Sequence, residues 1–200
     1  PDIGQIRDVN THSLSAMVDA GGGIPIPLGI ATDETGDLVQ KCRAGVADTD
    51  MVLISGGSSV GTRDVTLDAL GALPDNELLV HGIAIRPGKP AILARSGTCP
   101  VWGLPGHVTS AMIVYAKVVS PFMDRLRGLD TAHRPRRRIP ALLTRNIASG
   151  QGRTDYVRVQ LRQSGDTLMA EPILGKSGLL NTMVRADGLI TIAENAEGLD

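Results

Sequence analysis

The stretch MVLISGGSSVGTRD, residues 51–64, decides the fold. Met51, Val52, Leu53 and Ile54 form an apolar run with no polar alternation, as in a strand buried on both faces of a parallel sheet. The run enters Ser55-Gly56-Gly57-Ser58, and Gly61 follows, so glycines free the backbone before the next element. That element is predicted to be a helix, with Leu67, Leu70 and Leu73 on its inner face and Pro74 at its end. Backbone N–H groups at a helix start suit a phosphate or another anion. The spacing is neither a Walker A loop nor a dinucleotide fingerprint. An ordinary tight turn reads as well from this pattern alone. Asp64 sits where the helix begins, as an N-cap or as a carboxylate bridging Mg²⁺ to a phosphate, and one side chain can do both.

Upstream, Leu14, Met17 and Val18 mark a helix from Asn10 to Ala20 that Gly21-Gly22-Gly23 stops. Ile24 to Ile30 is short and apolar and is predicted to be a buried strand. Leu38 to Ala47 is predicted to be a second helix. Helix, strand, helix, strand, loop, helix is the order of a three-layer α/β domain with a mainly parallel sheet. Pro1 to Ile6 leads into the first helix with no strand before it, so the first strand of the α/β unit is expected to be missing. Glu197 to Asp200 reads as a turn before another strand, and the chain is expected to be a fragment.

Downstream, Val80, Ile83 and Ile85 lead into Arg86-Pro87-Gly88-Lys89-Pro90. Strands are predicted at 91–94 and 101–104. A well-buried helix is predicted from Ser110 to Val119, with Pro121 kinking or restarting it. The linker is placed at 128–133, within a basic stretch holding Arg134, Arg136, Arg137 and Arg138. Beyond it Val157, Val159 and Leu161 alternate with Arg158 and Gln160. Further short strands at 168–173 and 188–193 suggest a small β-barrel or sandwich over 134–200.

A net charge of −1 argues against an electrostatic grip on nucleic acid, and 2% aromatics against base-stacking platforms. The 24 glycines and 12 prolines fit backbone that approaches a ligand closely. Cys42 and Cys99 lack CxxC spacing, so neither a disulfide framework nor a zinc site is expected. The longest apolar stretch, around 111–119, is too short to span a bilayer, and no signal peptide opens the chain. A soluble, cytoplasmic protein is the expectation.

Three further segments carry candidate chemistry. Arg86 and Lys89 stand on a turn stiffened by two prolines, where they suit an oxyanion or are simply solvated. Gly103 to Ser110, with Pro105, Gly106 and His107, is a second strand-to-helix junction able to cradle an anion. Asp33 follows the strand ending at Ile30, as a ligand contact or a helix cap. Asp8 and Asn10 read the same two ways. The loops at 31–34, 55–64 and 103–110 all follow strands, so they are expected to share the carboxyl edge of one sheet.

Taken in order, IRDVN (6–10), LGIATDE (28–34), ISGGSSVGTRDVT (54–66), IRPGKP (85–90), GLPGHVTSA (103–111), GRTDYVRVQL (152–161) and GKSGLL (175–180) resemble the MoeA/gephyrin family of molybdenum cofactor biosynthesis. The resemblance implies a molybdopterin-binding α/β domain over 1–127 and the family's C-terminal β-barrel over 134–200. It implies insertion of molybdate into adenylylated molybdopterin with release of AMP, assisted by Mg²⁺. It implies a homodimer, with the adenylyltransferase of the preceding step as a partner. Asp64 and Asp33 match acidic site positions that would hold Mg²⁺, and Lys89 matches a basic one. Arg86 stands where the family has Lys. Pro105 matches the first proline of the family's LPGNP turn, and His107-Val108 replaces its Asn-Pro. Ser177 lies in the glycine-serine segment of the barrel. The alternatives are a non-catalytic molybdopterin-binding module, an adenylyltransferase and a tungstate-selective paralogue.

Overall fold

A computed structural model describes residues 7–32, 34–57, 65–129, 138–175 and 178–200. The first unit holds helices α1 (Asn10–Ala20), α2 (Thr35–Asp48), α3 (Val65–Gly71), α4 (Val108–Val114) and α5 (Ser120–Leu126). Its strands are β1 (Val52–Ser55), β2 (Asn76–His81), β4 (Ile92–Ser96) and β5 (Cys99–Leu104). A short β3 (Ile85–Arg86) leaves this unit to pair elsewhere.

The sheet runs β1-β5-β4-β2. The α/β class stands, but the expected mainly parallel sheet is mixed. Only β1 with β5 is parallel, while β5 with β4 and β4 with β2 are antiparallel. The cause is local. The connection from β4 to β5 is a tight turn through Gly97, and two-residue turns can join only antiparallel neighbours. Helices cover both faces, giving three layers. On one face Leu14 of α1 packs with Trp102, Leu104, Ala111, Val114 and Met123. On the other, Cys42 of α2 and Leu70 and Leu73 of the α3 region pack on Val52, Ile54 and Val101. Gly45 makes the α2 contact possible, since a Cβ there would lie 2.9 Å from Val52 Cγ2.

The predicted buried strand at 24–30 is a correction. Residues 24–30 carry no strand, and Ile24 is 88% and Ile30 73% exposed. Their apolar character is real, but among the described residues no sheet edge reaches them.

From α4 to α5 the chain stays helical. Pro121 does not break it. A π-turn at Tyr115–Val119 intervenes, with the Ser120 N–H donating to the Tyr115 carbonyl. Pro121 lacks an N–H and its ring would strike the carbonyl four residues back, which a locally widened turn relieves. The Trp102 and Phe122 rings meet edge-on at 5.4 Å. No described helix is long and apolar enough to cross a membrane.

The second unit is β-rich. Its strands are β6 (Leu142–Leu143), β7 (Ile147–Ala148), β8 (Thr154–Ser164), β9 (Thr167–Pro172), β10 (Gly188–Ile192) and β11 (Gly198–Leu199), with a one-turn α6 (Asn181–Val184). The main path is β10-β8-β9-β6, with β3 added beside β8 and β7 with β11 forming a separate ladder. Among the described residues this pairing is an open path rather than a closed barrel. Residues 130–137, which hold most of the expected linker and Arg134, Arg136 and Arg137, lie outside the described residues.

Candidate functional site

The loops after β1 and β5 meet at the carboxyl edge of the sheet. The Gly56 N–H donates to the Leu104 carbonyl at 3.0 Å. Gly56 and Gly57 take φ of +95° and +72°, which glycine alone adopts without strain. Space demands glycine as well. A Cβ on Gly57 would sit 2.6 Å from Thr66 Oγ1, and one on Gly106 would sit 3.3 Å from Gly56 Cα. Thr66, fully buried on α3, donates its hydroxyl to the Gly56 carbonyl at 3.1 Å. The first turn of α1 joins the same rim, where Asn10 Nδ2 donates to the Gly106 carbonyl at 2.9 Å. Asn10 is buried, and its Oδ1 has no hydrogen-bond partner among the described residues.

Asp8 settles as a cap, accepting the Thr11 N–H at 3.0 Å on Oδ1. Burial works to raise its pKa. Hydrogen bonds from Thr11 and the Asn10 amide, with the charge of His12, outweigh that and hold the carboxyl below the usual carboxylate range.

Beside this rim lies a cavity of about 760 Å³. Of the sequence-predicted residues, Ser55, Gly56, Gly57, Gly106 and His107 line it. Pro105 and Ser110 are buried behind the junction, and Arg86 and Lys89 stand outside it. Asp33, Ser58, Gly61, Asp64 and Ser177 lie outside the described residues. Among the described residues no three His, Cys, Asp or Glu side chains gather as metal ligands.

The turn at 86–90 is held from two sides. The Arg86–Pro87 peptide is cis, and Gly88 takes φ of +126°. A Cβ on Gly88 would lie 2.5 Å from Val114 Cγ2, so the turn is pressed onto α4. β3 pairs in parallel with β8, matching Arg86 to Asp155. Arg86 Nη1 approaches Asp155 Oδ2 at 3.7 Å, and Arg153 Nε donates to Asp155 Oδ1 at 2.9 Å. Arg86 and Lys89 themselves remain exposed.

One site residue escapes the sequence reading. Arg158 entered the sequence reading only as one of the residues alternating with Val157 and Val159, and it is 8% exposed. Its Nη2 donates to the Gly175 carbonyl at 3.2 Å, while Nε and Nη1 have no hydrogen-bond partner among the described residues. Burial lowers its pKa. A cation in this state is costly unless an anion joins it. Gly178 also reaches the rim, because a Cβ there would lie 3.6 Å from His107 Cδ2. A band of residues thus runs from Gly56 and Gly106 through His107 to Gly178, Gly175 and Arg158. Asp155, paired with Arg86 of β3, lies three positions earlier along β8, toward the strand's other face. Such a band of N–H groups and cations is suited to a ligand with more than one anionic group.

Comparison with known proteins follows the same division. Residues 3–125 match the family model described as "Probable molybdopterin binding domain", and residues 140–200 match "MoeA C-terminal region (domain IV)". A molybdopterin molybdenumtransferase 2 of Mycobacterium tuberculosis is 31% identical over 202 residues, covering 96% of this chain and 48% of that protein. A molybdopterin molybdenumtransferase of Haemophilus influenzae is 30% identical over 155 residues, covering 78% of this chain and 38% of that protein. Among solved structures, a molybdopterin biosynthesis MoeA protein of Pyrococcus horikosii superposes with a TM-score of 0.80 at 34% identity, covering all of this chain and 47% of that one. The chain spans about half the length of the curated relatives it matches.

Proposed function

This chain belongs to the MoeA-like molybdopterin-binding family, and from that premise we propose that it contributes the catalytic rim of an enzyme that inserts molybdate into adenylylated molybdopterin. The reaction joins molybdate to the pterin and cleaves the phosphoanhydride bond to the adenylyl group, whose phosphorus takes an oxygen from water or molybdate as AMP leaves. Both substrates are anions, so the site has to neutralise repulsion before it can position them. The backbone N–H groups around Gly56, Gly57 and Gly106 receive phosphate oxygens. Arg158 offers the oxyanion a planar fork, while Arg86 and Lys89, exposed outside the cavity, add positive charge at its approach.

The observation that supports this reading is the buried Arg158, with two nitrogens unpartnered among the described residues, near Gly175 and with Gly178 beside His107. Hydrocarbon would leave that guanidinium unpaired and water would leave its charge unbalanced, whereas a tetrahedral oxyanion supplies both acceptors and a countercharge for Nε and Nη1. Mg²⁺ would neutralise further phosphate charge, held by Asp64 and Asp33. Among described residues the rim carboxylate is Asp8, whose Oδ1 already caps α1, so no step is drawn through the metal. Homodimer formation, handover from an adenylyltransferase and a cytoplasmic location belong to the same reading.

The test is molybdate-dependent AMP release by the polypeptide that its own reading frame encodes. Arg158→Lys keeps the charge and removes the fork. It is expected to weaken molybdate capture about 10- to 100-fold, read as a raised molybdate KM. Unchanged kinetics in that variant would remove Arg158 from the site. A protein that binds adenylylated pterin but releases no AMP would be a binding module. One that consumes ATP to form the adenylylated pterin would be an adenylyltransferase.

A further inference from the structure

Two glycines in succession leave the peptide between them with no side chain to set its direction, and both orientations are open to it. In the rim that peptide joins Gly56 to Gly57. Its carbonyl accepts the hydroxyl of Thr66 at 3.1 Å, from ten positions along the chain. Among the described residues the only cis peptide is Arg86–Pro87, so the Gly56–Gly57 peptide is trans, planar, with its N–H opposed to its C=O. Thr66 holds the Gly56 oxygen on the buried side. The Gly57 N–H therefore faces away from α3, on the side where Gly57 lines the cavity. The Gly56 N–H is already spent on the Leu104 carbonyl. Of these two amides, the one presented to a ligand is that of Gly57.

Thr66 is wedged in place from both ends of its side chain. It is fully buried. Its Cγ2 methyl lies against Gly103 of β5, where a Cβ would come within 3.2 Å, and its Oγ1 lies against Gly57, where a Cβ would come within 2.6 Å. Packing on β5 fixes where the hydroxyl stands, and the hydroxyl fixes the peptide. Asn10 braces the neighbouring loop in the same manner, giving its Nδ2 to the Gly106 carbonyl at 2.9 Å. The two braced loops touch, since a Cβ on Gly106 would lie 3.3 Å from Gly56 Cα.

We propose that Thr66 is a positioning residue of the anion-binding rim: its hydroxyl locks the Gly56–Gly57 peptide with the N–H toward the cavity, so that Gly57 donates to a phosphate oxygen of the ligand. This rests on the reading of the rim as a phosphate cradle and adds the group that keeps the cradle a donor. Without the hydroxyl the Gly56 carbonyl is left buried without that donor, a state costly enough to favour turning the peptide over. The turned peptide presents a carbonyl oxygen to the phosphate, so attraction becomes repulsion. Thr66 carries no charge and does not line the cavity, which is why a search for cations and carboxylates passes over it.

The test uses the polypeptide that the reading frame encodes, with isotope-labelled glycine, and takes AMP and inorganic phosphate as probes. In the unmutated protein the Gly57 amide proton is expected to move downfield as either probe is added. Thr66→Val keeps the shape and removes the hydroxyl. It is expected to abolish that movement and to raise the KM for adenylylated pterin about 10- to 100-fold, with kcat held. Thr66→Ser returns the hydroxyl without the methyl, and is expected to recover both the movement and the KM while melting at a lower temperature. A threonine that only filled space would give the opposite ranking, with Val better tolerated than Ser. Three results would each overturn the proposal: a Gly57 amide unmoved by both probes in the unmutated protein, a movement that survives in Thr66→Val, or a KM raised equally by Val and Ser. The probe titration does not depend on turnover. A protein without molybdate-dependent AMP release whose Gly57 amide still follows this pattern would lose the proposed reaction and keep the brace.

Discussion

A guanidinium that is 8% exposed and, among the described residues, holds a single carbonyl carries a desolvation cost those residues do not offset. Replacing such a buried charge by an apolar side chain of similar length often leaves a fold more stable. Arg158→Met is therefore expected to raise the urea midpoint, by about 1–3 kcal/mol of unfolding free energy, while abolishing molybdate-dependent AMP release. Stability gained together with activity lost separates an anion receptor from a structural brace, since a brace would lose both. The two cysteines sit at the opposite extreme. Burial pushes the Cys42 thiol up to about 11, and burial with the nearby Asp50 charge raises Cys99. The thiolate is the reactive form, so an aromatic disulfide reagent at pH 7.5 is expected to label neither until urea unfolds the chain. Rapid labelling of the native protein would contradict the packing around them.

The start of α1 is an element held by one carboxylate. Hydrogen bonds at the helix start depress the folded-state pKa of Asp8 below its ordinary value, against the burial that works to raise it. Its contribution is fully present above the unfolded-state value and is lost as pH falls through the folded value. Removing the cap by Asp8→Ala is expected to cost about 1 kcal/mol at pH 7 and progressively less below pH 4, measured by thermal melts across pH. A deficit that grew on acidification would reverse the assignment. Elements of this kind were legible in the sequence wherever period and punctuation agreed. Leu14, Met17 and Val18 gave α1, and Gly21 to Gly23 ended it. The apolar run at 52–54 with its glycines gave β1 and the rim. Residues 24–30 misled because apolar content reports what a segment would bury, not whether a partner lies within reach. The mixed sheet was hidden for a related reason: strand direction depends on connection length, and the turn at Gly97 lies between two runs that look alike. Arg158 was hidden because alternation marks the side of a strand that a residue occupies, while the cover over that side comes from a loop seventeen positions on.

The two units touch where β3 lies beside β8 and where Gly178 nears His107. A further contact joins them, in which Lys117 Nζ sits 5.4 Å over the Tyr156 ring. Lys117 belongs to the π-turn, and that turn behaves like a single gear tooth set between the units. Its added residue fixes the phase at which the helix engages β8. Deleting Ala116 would rotate one flank against the other by about 100° and return Pro121 to a regular helix that its ring cannot join. Pro121→Ala alone removes the need for the wide turn while leaving the surplus residue. Each change alone is expected to lower the melting temperature, and the pair together to lower it less than the sum, as a double-mutant cycle would read. Strict additivity would mean that the tooth and the proline are unrelated. Coupling would mean that the angle between the rim and the β-rich unit is written into one helical residue, so that helix length alone can retune the site.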